Sequence, residues 1–143
     1  MKPVSIMASV LWVACMAGMA GARADAEPQA ATSAPAAITL APVASQPLPD
    51  DPGTLLTAVV VNMAPKARTT SHRHGGMVFV YVLEGSVRSQ LNGGEIVEYR
   101  AGDSWSEPPG TVHSLMENPS GTAPARLLAT LITPADAELT TYD

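Results

Sequence analysis

The sequence predicts an all-β domain, arranged as a sandwich or a small barrel, and three observations lead to this prediction. After residue 37 the apolar runs are short, and none has the length of about ten to twelve residues that indicates a helix. Several runs are rich in β-branched and aromatic residues, which favour strands. Glycine, proline, asparagine and aspartate separate the runs at intervals typical of strand and turn units. The 143 residues leave room for one such domain.

The predicted strands follow these runs in chain order. They are ITLAP, TLLTAVVVNM, MVFVYVLEG, SVRSQL, EIVEYR, DSWSE, VHSLME and ARLLATLIT. The segment 92–94, Asn-Gly-Gly, joins SVRSQL to EIVEYR and predicts a tight hairpin, because asparagine and glycine tolerate the positive φ angles of such turns. Further chain reversals are predicted at 85–86, 101–103 and 108–110.

The run MVFVYVLEG is apolar on both of its faces. Side chains alternate along a strand, so three valines face one way and four larger apolar residues face the other way. The two sets are Val78, Val80 and Val82, and Met77, Phe79, Tyr81 and Leu83. A strand that is apolar on both sides is normally covered on both sides. Because ARLLATLIT has the same character, we predict that the outer face contacts a partner subunit or a folded-over segment, with a homodimer as the expected assembly.

Residues 1–24 predict a secretory signal peptide. An early lysine is followed by an uncharged stretch up to Arg23, and 22–24, Ala-Arg-Ala, forms a small-x-small cleavage signature. One alternative is an uncleaved membrane anchor, since about 20 uncharged residues can span a bilayer. Another is a lipoprotein processed at Cys15, which the bulky Trp12 disfavours. The protein is therefore expected to be exported, either to a periplasm or out of the cell.

The remaining boundaries follow from composition. Residues 25–37 are rich in alanine and proline without periodicity and predict a flexible leader, 38–134 the folded domain, and 135–143 a C-terminal tail. Cleavage after residue 24 would remove the single cysteine, so the mature protein is expected to lack disulfides. It would also remove two basic residues and no acidic ones, which changes the formal net charge from −5 to −7. This acidity argues against nucleic acids and anionic membrane surfaces as partners.

Histidine is the residue type that points to chemistry. The chain has three histidines, and two of them, His72 and His74, are separated by one residue. In an extended segment they project from the same face, which allows both imidazoles to reach one ion. A His-x-His pair alone is a weak signal, since such a pair on a loop is more often solvated than metal-bound. The third histidine, His113, lies in the segment EPPGTVHSLMEN.

The spacing around these histidines resembles the two motifs of the cupin superfamily, in particular its small single-domain members. Those motifs are Gly-x5-His-x-His-x3-4-Glu-x6-Gly and, after an intermotif stretch, Gly-x5-Pro-x-Gly-x2-His-x3-Asn. The matching residues are His72, His74 and Gly85 in the first motif and Gly102, Pro108, Gly110 and His113 in the second, with Lys66 at the leading glycine and Asn118 one position late. The resemblance implies a jelly-roll barrel, also called a double-stranded β-helix, in which His72, His74 and His113 converge on one divalent metal.

The sequence departs from the first motif at its glutamate. Val78 occupies that position, with Phe79 at the alternative spacing, so one protein ligand is missing. Three neutral imidazoles can still hold a divalent ion whose shell is completed by water or substrate. Glu107, before the Pro-Pro-Gly turn, and Gln90, on the preceding hairpin, are candidates to replace the carboxylate. The alternatives are that Glu107 orders the turn and that Gln90 is a partly buried polar residue of a strand.

Candidate pocket residues are Met77, Tyr81 and Trp105, although such side chains in a β-sandwich usually belong to the core. The resemblance implies a dioxygenase-like or isomerase-like reaction on a small oxygenated substrate, with zinc, iron, manganese, nickel or copper as the metal, since histidine nitrogen suits several of these ions. The alternative is a binding or sensory module that holds a metal or small ligand without turnover. The missing glutamate leaves open whether the protein is an enzyme.

Overall fold

The computed structural model describes residues 37–143, and in this range the chain forms ten strands. Their bounds are β1 Ile38–Leu48, β2 Asp51–Met63, β3 His72–His74, β4 Met77–Glu84, β5 Ser86–Leu91, β6 Ile96–Arg100, β7 Ser104–Glu107, β8 Val112–Glu117, β9 Ala125–Pro134 and β10 Thr140–Tyr142. The predicted signal peptide and nearly all of the predicted leader lie outside the described residues. Within the described range, no helix is long and apolar enough to cross a membrane.

The strands form two five-stranded antiparallel sheets. One sheet has the order β1-β2-β9-β4-β7, and the other has the order β10-β3-β8-β5-β6. Strands that are neighbours in sequence are often distant in the sheets, which is the connectivity of a jelly roll. The predicted all-β jelly-roll class is therefore confirmed. Prolines 42 and 47 are tolerated in β1 because β1 lies at the edge of its sheet, where one side of the strand needs no ladder hydrogen bonds.

The core lies between the two sheets and depends on the alternation of β4. Val78, Val80 and Val82 are all nearly inaccessible to solvent and pack with Leu127 and Leu131 of the neighbouring strand β9. The other four large apolar residues of β4 point outwards and are each about two-fifths exposed; they are Met77, Phe79, Tyr81 and Leu83. The predicted alternation of β4 is confirmed, and its outer face is an apolar surface on the described chain.

The turn that the sequence predicts from Asn92 and the glycines after it is present between β5 and β6. Asn92 has a φ of 52° and Gly93 a φ of 66°, and both lie in the turn 92–95 that connects the paired strands. Besides Asn92, Lys66 has a positive φ, and it stands where the cupin motif has glycine. Lys66 has a φ of 63°, so this position needs the left-handed conformation that glycine adopts without strain.

The C-terminal segment 135–143, predicted as a tail, contributes strand β10 to the second sheet. Thr140 pairs with His74, and Tyr142 pairs with His72. Beyond the strand, the Asp143 side chain accepts a hydrogen bond from the Ser71 hydroxyl at 2.8 Å and lies 3.2 Å from the Arg73 guanidinium. These contacts place the segment directly against the strand that carries two of the three histidines.

Candidate metal centre

Strands β3 and β8 bring the three histidines together. His72 on β3 is the cross-strand partner of His113 on β8, and His74 follows two residues later on the same face of β3. Arg73, between them, points outwards. The two glycines after His74 let the chain turn into β4, since a Cβ atom on either would collide with backbone carbonyls, that of Glu138 for Gly75 and that of Ile132 for Gly76.

The three imidazoles are close enough to bind a single ion. One nitrogen from each ring lies within 4.8 Å of the corresponding nitrogens of the other two. The ring centroid of His72 is 5.0 Å from that of His74 and 4.9 Å from that of His113. His72 and His113 are buried, with 4% and 2% of their surface exposed. The expectation that the fold brings His113 to the His-x-His pair therefore holds in the structure.

Backbone carbonyls orient the two rings of β3. The Nδ1 of His72 lies 2.8 Å from the Thr70 carbonyl, and the Nδ1 of His74 lies 2.9 Å from the Leu139 carbonyl. A carbonyl oxygen can only accept, so in both rings Nδ1 carries the hydrogen and the neutral ring has its lone pair on Nε2. A ligating histidine commonly has its other nitrogen fixed in this way. His113 lies between the Ser89 hydroxyl, 2.9 Å from its Nε2, and the Glu107 carboxylate, 3.1 Å from its Nδ1.

Glu107 is the one carboxylate that the described residues place against the histidines. It is 2% exposed, and its Oε1 accepts a hydrogen bond from the Trp105 indole at 2.9 Å as well as facing His113. Its Oε2 lies 3.9 Å from the His74 Nε2 and has no hydrogen-bond partner. The alternation of β7 explains this placement, because Trp105 and Glu107 are both buried while Ser104 and Ser106 are exposed.

The electrostatics of the cluster favour a neutral His72 beside an ionised Glu107. Burial lowers the pKa of His72, and the neighbouring His113 and His74 lower it further, against the hydrogen bond of Thr70 and the charge of Glu107. Burial raises the pKa of Glu107, but the hydrogen bond and charge of His113 and the hydrogen bond of Trp105 outweigh burial and leave this pKa below its usual value. Neutral imidazole and ionised carboxylate are the forms that bind metals.

The histidines line a cavity of about 490 Å³ between the sheets. Its walls are mostly aliphatic side chains of β1, β2, β4 and β9, including Val59, Val80 and Leu131. The C-terminal segment forms part of the rim through Leu139, Thr140 and Tyr142, and Arg68 lines the cavity as well. A largely apolar cavity with a few convergent polar groups is the usual form of a small-molecule site.

Four other residues that were predicted as possible ligands or pocket residues lie elsewhere: Gln90, Met77, Tyr81 and Trp105. The Gln90 side chain donates to the Gly94 carbonyl at 2.7 Å within the hairpin, away from the cavity, whereas its neighbour Ser89 faces His113. Met77 and Tyr81 lie on the outer face of β4, since the inward positions of that strand belong to its valines. Trp105 is buried, stacks on Tyr99 with ring centroids 4.6 Å apart, and contacts the site through Glu107.

Sequence reasoning missed several groups that support the site. Ser89 had a usable signal, because it lies two residues after the buried Val87 and therefore shares its inward face. The carbonyls of Thr70 and Leu139 could not be predicted from the sequence, since every residue type carries a backbone carbonyl. Tyr142, whose ring centroid lies 5.6 Å from that of His72, belongs to the segment predicted as a tail.

The donor set fits a divalent transition metal. Two imidazoles have Nδ1 fixed by carbonyls, a third lies within reach, and a buried carboxylate oxygen beside them has no hydrogen-bond partner. A buried anionic oxygen without a donor is costly, and a cation next to it would remove that cost. Imidazole nitrogen with carboxylate oxygen suits zinc and the neighbouring transition metals. The three-histidine cluster could therefore hold a metal ion.

Comparison with known proteins agrees with the fold and the motif spacing. The sequence model of the cupin domain matches residues 59–131. The chain therefore belongs to the cupin family, as its motif spacing predicted. No curated protein sequence matches this chain significantly.

Solved structures show the same fold at low sequence identity. A cupin superfamily protein from Desulfitobacterium hafniense has a TM-score of 0.56 at 9% identity, over 67% of this chain and 77% of that one. KdgF from a Halomonas species has a TM-score of 0.52 at 25% identity, over 66% and 79%. Oxalate decarboxylase from Bacillus subtilis has a TM-score of 0.53 at 24% identity, over 61% of this chain and 23% of that one.

Proposed function

We propose that this cupin is a metal-dependent enzyme of the dioxygenase-like or isomerase-like kind, acting on a small oxygenated substrate. The observation that carries the proposal is the convergence of His72, His74 and His113 on the wall of a cavity large enough for a small organic molecule. These three side chains are the proposed metal ligands. A bound divalent ion would supply Lewis acidity towards an oxygen of the substrate and, if redox-active, a site for oxygen.

The protein's own residues have distinct tasks in this proposal. The Thr70 and Leu139 carbonyls hold the Nδ1 hydrogens of the two β3 histidines, so that both lone pairs face the cavity. The aliphatic walls exclude water and strengthen electrostatic interactions inside the cavity. The Ser89 hydroxyl and the Glu107 carboxylate contact the two ring nitrogens of His113, so a bound ion would replace one of these two contacts.

Arg68 supports an acidic substrate with an apolar body. It is the one arginine or lysine that lines the cavity among the described residues. Of the five arginines in the described part of the chain, the other four form ion pairs with carboxylates, whereas Arg68 has no such partner there. A guanidinium binds a carboxylate well, and the aliphatic walls suit a hydrocarbon portion. Small carboxylic, hydroxy or keto acids are therefore the first substrates to test.

The experiment is a turnover assay on protein of defined metal content. Protein reconstituted separately with zinc, manganese, iron, nickel and copper is incubated with small organic acids while oxygen uptake and product formation are followed. The proposal expects metal-dependent turnover that disappears in His113→Ala. Stoichiometric metal with no turnover of any tested acid would favour the alternative below.

The alternative is a binding or sensory module that holds a metal or ligand without turnover. One observation favours it: Glu107 is the one carboxylate lining the cavity among the described residues, and its Oε1 is already occupied by two nitrogen groups. If Glu107 serves the metal site, the described residues that line the cavity offer no second carboxylate as a general base. Ligand-induced stabilisation without product would be its signature.

The predicted homodimer and export remain part of the proposal. A second copy of the chain is the proposed partner of the outer face of β4, where Met77, Phe79, Tyr81 and Leu83 are exposed together. Exposed apolar patches of this kind often mark interfaces, and a two-fold dimer uses the same patch on both subunits. Export would follow from cleavage of the predicted signal peptide.

Replacing Phe79 by glutamate is expected to separate the dimer into monomers. The substitution places a charge at the centre of the apolar row while the inward valines of β4 stay unchanged. Light scattering on a sizing column should give twice the chain mass for the wild type and one chain mass for the variant. Glu84→Gln, also on β4, is the control that should remain dimeric. A wild-type protein at monomer mass over the whole concentration range contradicts the prediction.

A further inference from the structure

We infer that Glu107 is the carboxylate ligand of this cupin site, in the role that the family assigns to a glutamate at the position of Val78. The inference rests on the proposal that the three histidines bind one divalent ion. It adds a fourth protein ligand from strand β7 that the motif pattern does not contain.

The sheet register places the two positions side by side. Val78 on β4 and Glu107 on β7 are direct cross-strand partners. Both are inward-facing, with 2% of each residue exposed. Side chains directly opposite in an antiparallel pair have Cβ atoms about 5 Å apart. A carboxylate at 107 therefore enters the cavity beside the place where a carboxylate at 78 would enter it, displaced by one strand.

Only one of the two paired positions, 78 and 107, is expected to carry a glutamate. Glutamates at both cross-strand positions would place two like charges next to each other in the interior, which is destabilising. With valine at 78, the aliphatic side chain packs in the core cluster and leaves the neighbouring inward position to Glu107. The absence of the motif glutamate and the presence of a buried glutamate opposite it are thus two parts of one arrangement.

The two oxygens of Glu107 have different surroundings, and the difference points to an ion. Oε1 accepts from the Trp105 indole and faces the His113 Nδ1, whereas Oε2 is buried without any hydrogen-bond donor. In the histidine cluster, the His74 Nε2 lies 3.9 Å from Oε2. Because the Leu139 carbonyl holds the hydrogen of that ring on Nδ1, a neutral His74 directs a lone pair towards this oxygen.

Two electron-rich atoms that face each other in a buried site are stabilised by a cation near both. Metal to nitrogen and metal to oxygen bonds are each about 2.0 to 2.2 Å for zinc, so one ion can bind two atoms that are 3.9 Å apart. A metal shared by His74 and Glu107 satisfies both atoms.

The test compares metal affinity in three variants. Glu107→Gln keeps the shape and the acceptor for Trp105 but removes the charge, and it is expected to weaken binding of Zn²⁺ or Mn²⁺ by more than about 100-fold, beyond the range of about 10 to 100-fold typical of outer-shell changes. Glu84→Gln removes one exposed acid of β4 and should leave affinity unchanged. Val78→Glu combined with Glu107→Gln should recover most of the lost affinity, because it returns the carboxylate to the neighbouring strand.

A spectroscopic measurement separates a ligand from a residue that only orients His113. Each variant is saturated with Co²⁺, and its visible d–d absorption is compared with that of the wild type. Loss of a ligand changes the position and intensity of the bands at saturation, whereas an outer-shell role leaves the saturated spectrum unchanged. Circular dichroism and the unfolding midpoint in chelator verify that every variant is folded.

The outcomes distinguish the two proposals. A wild-type protein that binds neither Zn²⁺, Mn²⁺ nor Co²⁺ overturns the proposed function and this inference together. Wild-type binding with Glu107→Gln unchanged in affinity or in Co²⁺ spectrum overturns this inference alone and leaves a three-histidine site. Weaker binding with a changed spectrum, recovered in the double variant, supports it.

Discussion

His72→Ala is expected to lose stoichiometric divalent metal while the protein keeps its β-sheet circular dichroism. His72 lies at the centre of the cluster, 5.0 Å from the His74 ring and 4.9 Å from the His113 ring. Outer-shell substitutions weaken metal affinity by about 10 to 100-fold, and removing a direct ligand should weaken it more. His113→Ala is expected to behave in the same way, since it supplies the ligand from the second strand of the site.

Arg73→Ala provides the matched control for this prediction. Arg73 lies between the two histidines of β3 but points outwards and pairs with Asp143 at 3.2 Å, so its loss should leave metal content unchanged. Metal per chain is measured by elemental analysis after dialysis, with circular dichroism on the same samples. One full equivalent retained in both histidine variants would exclude His72 and His113 as ligands.

Asn118→Ala is expected to lower the free energy of unfolding by about 3 kcal/mol. The side chain is 1% exposed, and its amide nitrogen donates to the carbonyls of Ala64 and Ala123 at 3.1 and 2.9 Å, with a longer contact of 3.4 Å to Met63. Its oxygen accepts from the Ser120 backbone at 3.0 Å. Alanine would leave these backbone groups without their partner at the point where β2, β8 and the loop before β9 meet.

Asn62→Ala serves as the control, because the Asn62 amide makes one long, exposed contact of 3.4 Å with the Thr39 hydroxyl. Its loss should change stability by less than about 0.5 kcal/mol. Urea unfolding is followed by circular dichroism in chelator, so that metal binding does not add to the stability of either variant. A loss below about 1 kcal/mol for Asn118→Ala would mean that water or a shifted loop replaces these hydrogen bonds.

Asn118 also shows how the motif comparison and the structure differ. By spacing, it stands one position late relative to the cupin pattern, which gives no reason to assign it a role. The structure shows that a buried amide at this position joins three chain segments. Spacing reports the position of a residue along the chain, whereas its hydrogen bonds depend on segments 54 and 55 residues away.

The long strands could be predicted from the sequence because their ends carry turn residues and their interiors are β-branched. Strands β5 and β8 begin and end where the runs SVRSQL and VHSLME do. Strands β3 and β10 could not be predicted in this way, since each has three residues and no apolar run. They exist because they pair with each other, and β3 pairs further with β8, which is a property of the assembled sheet.

The candidate site was predictable to the same extent. Histidine spacing identified all three imidazoles. Both the alternation of side chains along a strand and the second cupin motif can be recognised from residue types alone. Glu107 and Gln90 were indistinguishable as candidates, and the choice between them depends on the inward face of each strand. Val87 fixes that face for β5 and selects Ser89 over Gln90, and Trp105 marks it for β7 and selects Glu107.

The metal content of the wild-type protein tests the three-histidine site directly. Protein purified without an affinity tag is dialysed, loaded separately with zinc, manganese, iron, nickel and copper, dialysed again and analysed for metal per chain. We predict one tightly held ion per chain for at least one of these metals, and loss of that ion in His72→Ala. Metal that dialyses away for all five ions would contradict a site built on His72, His74 and His113.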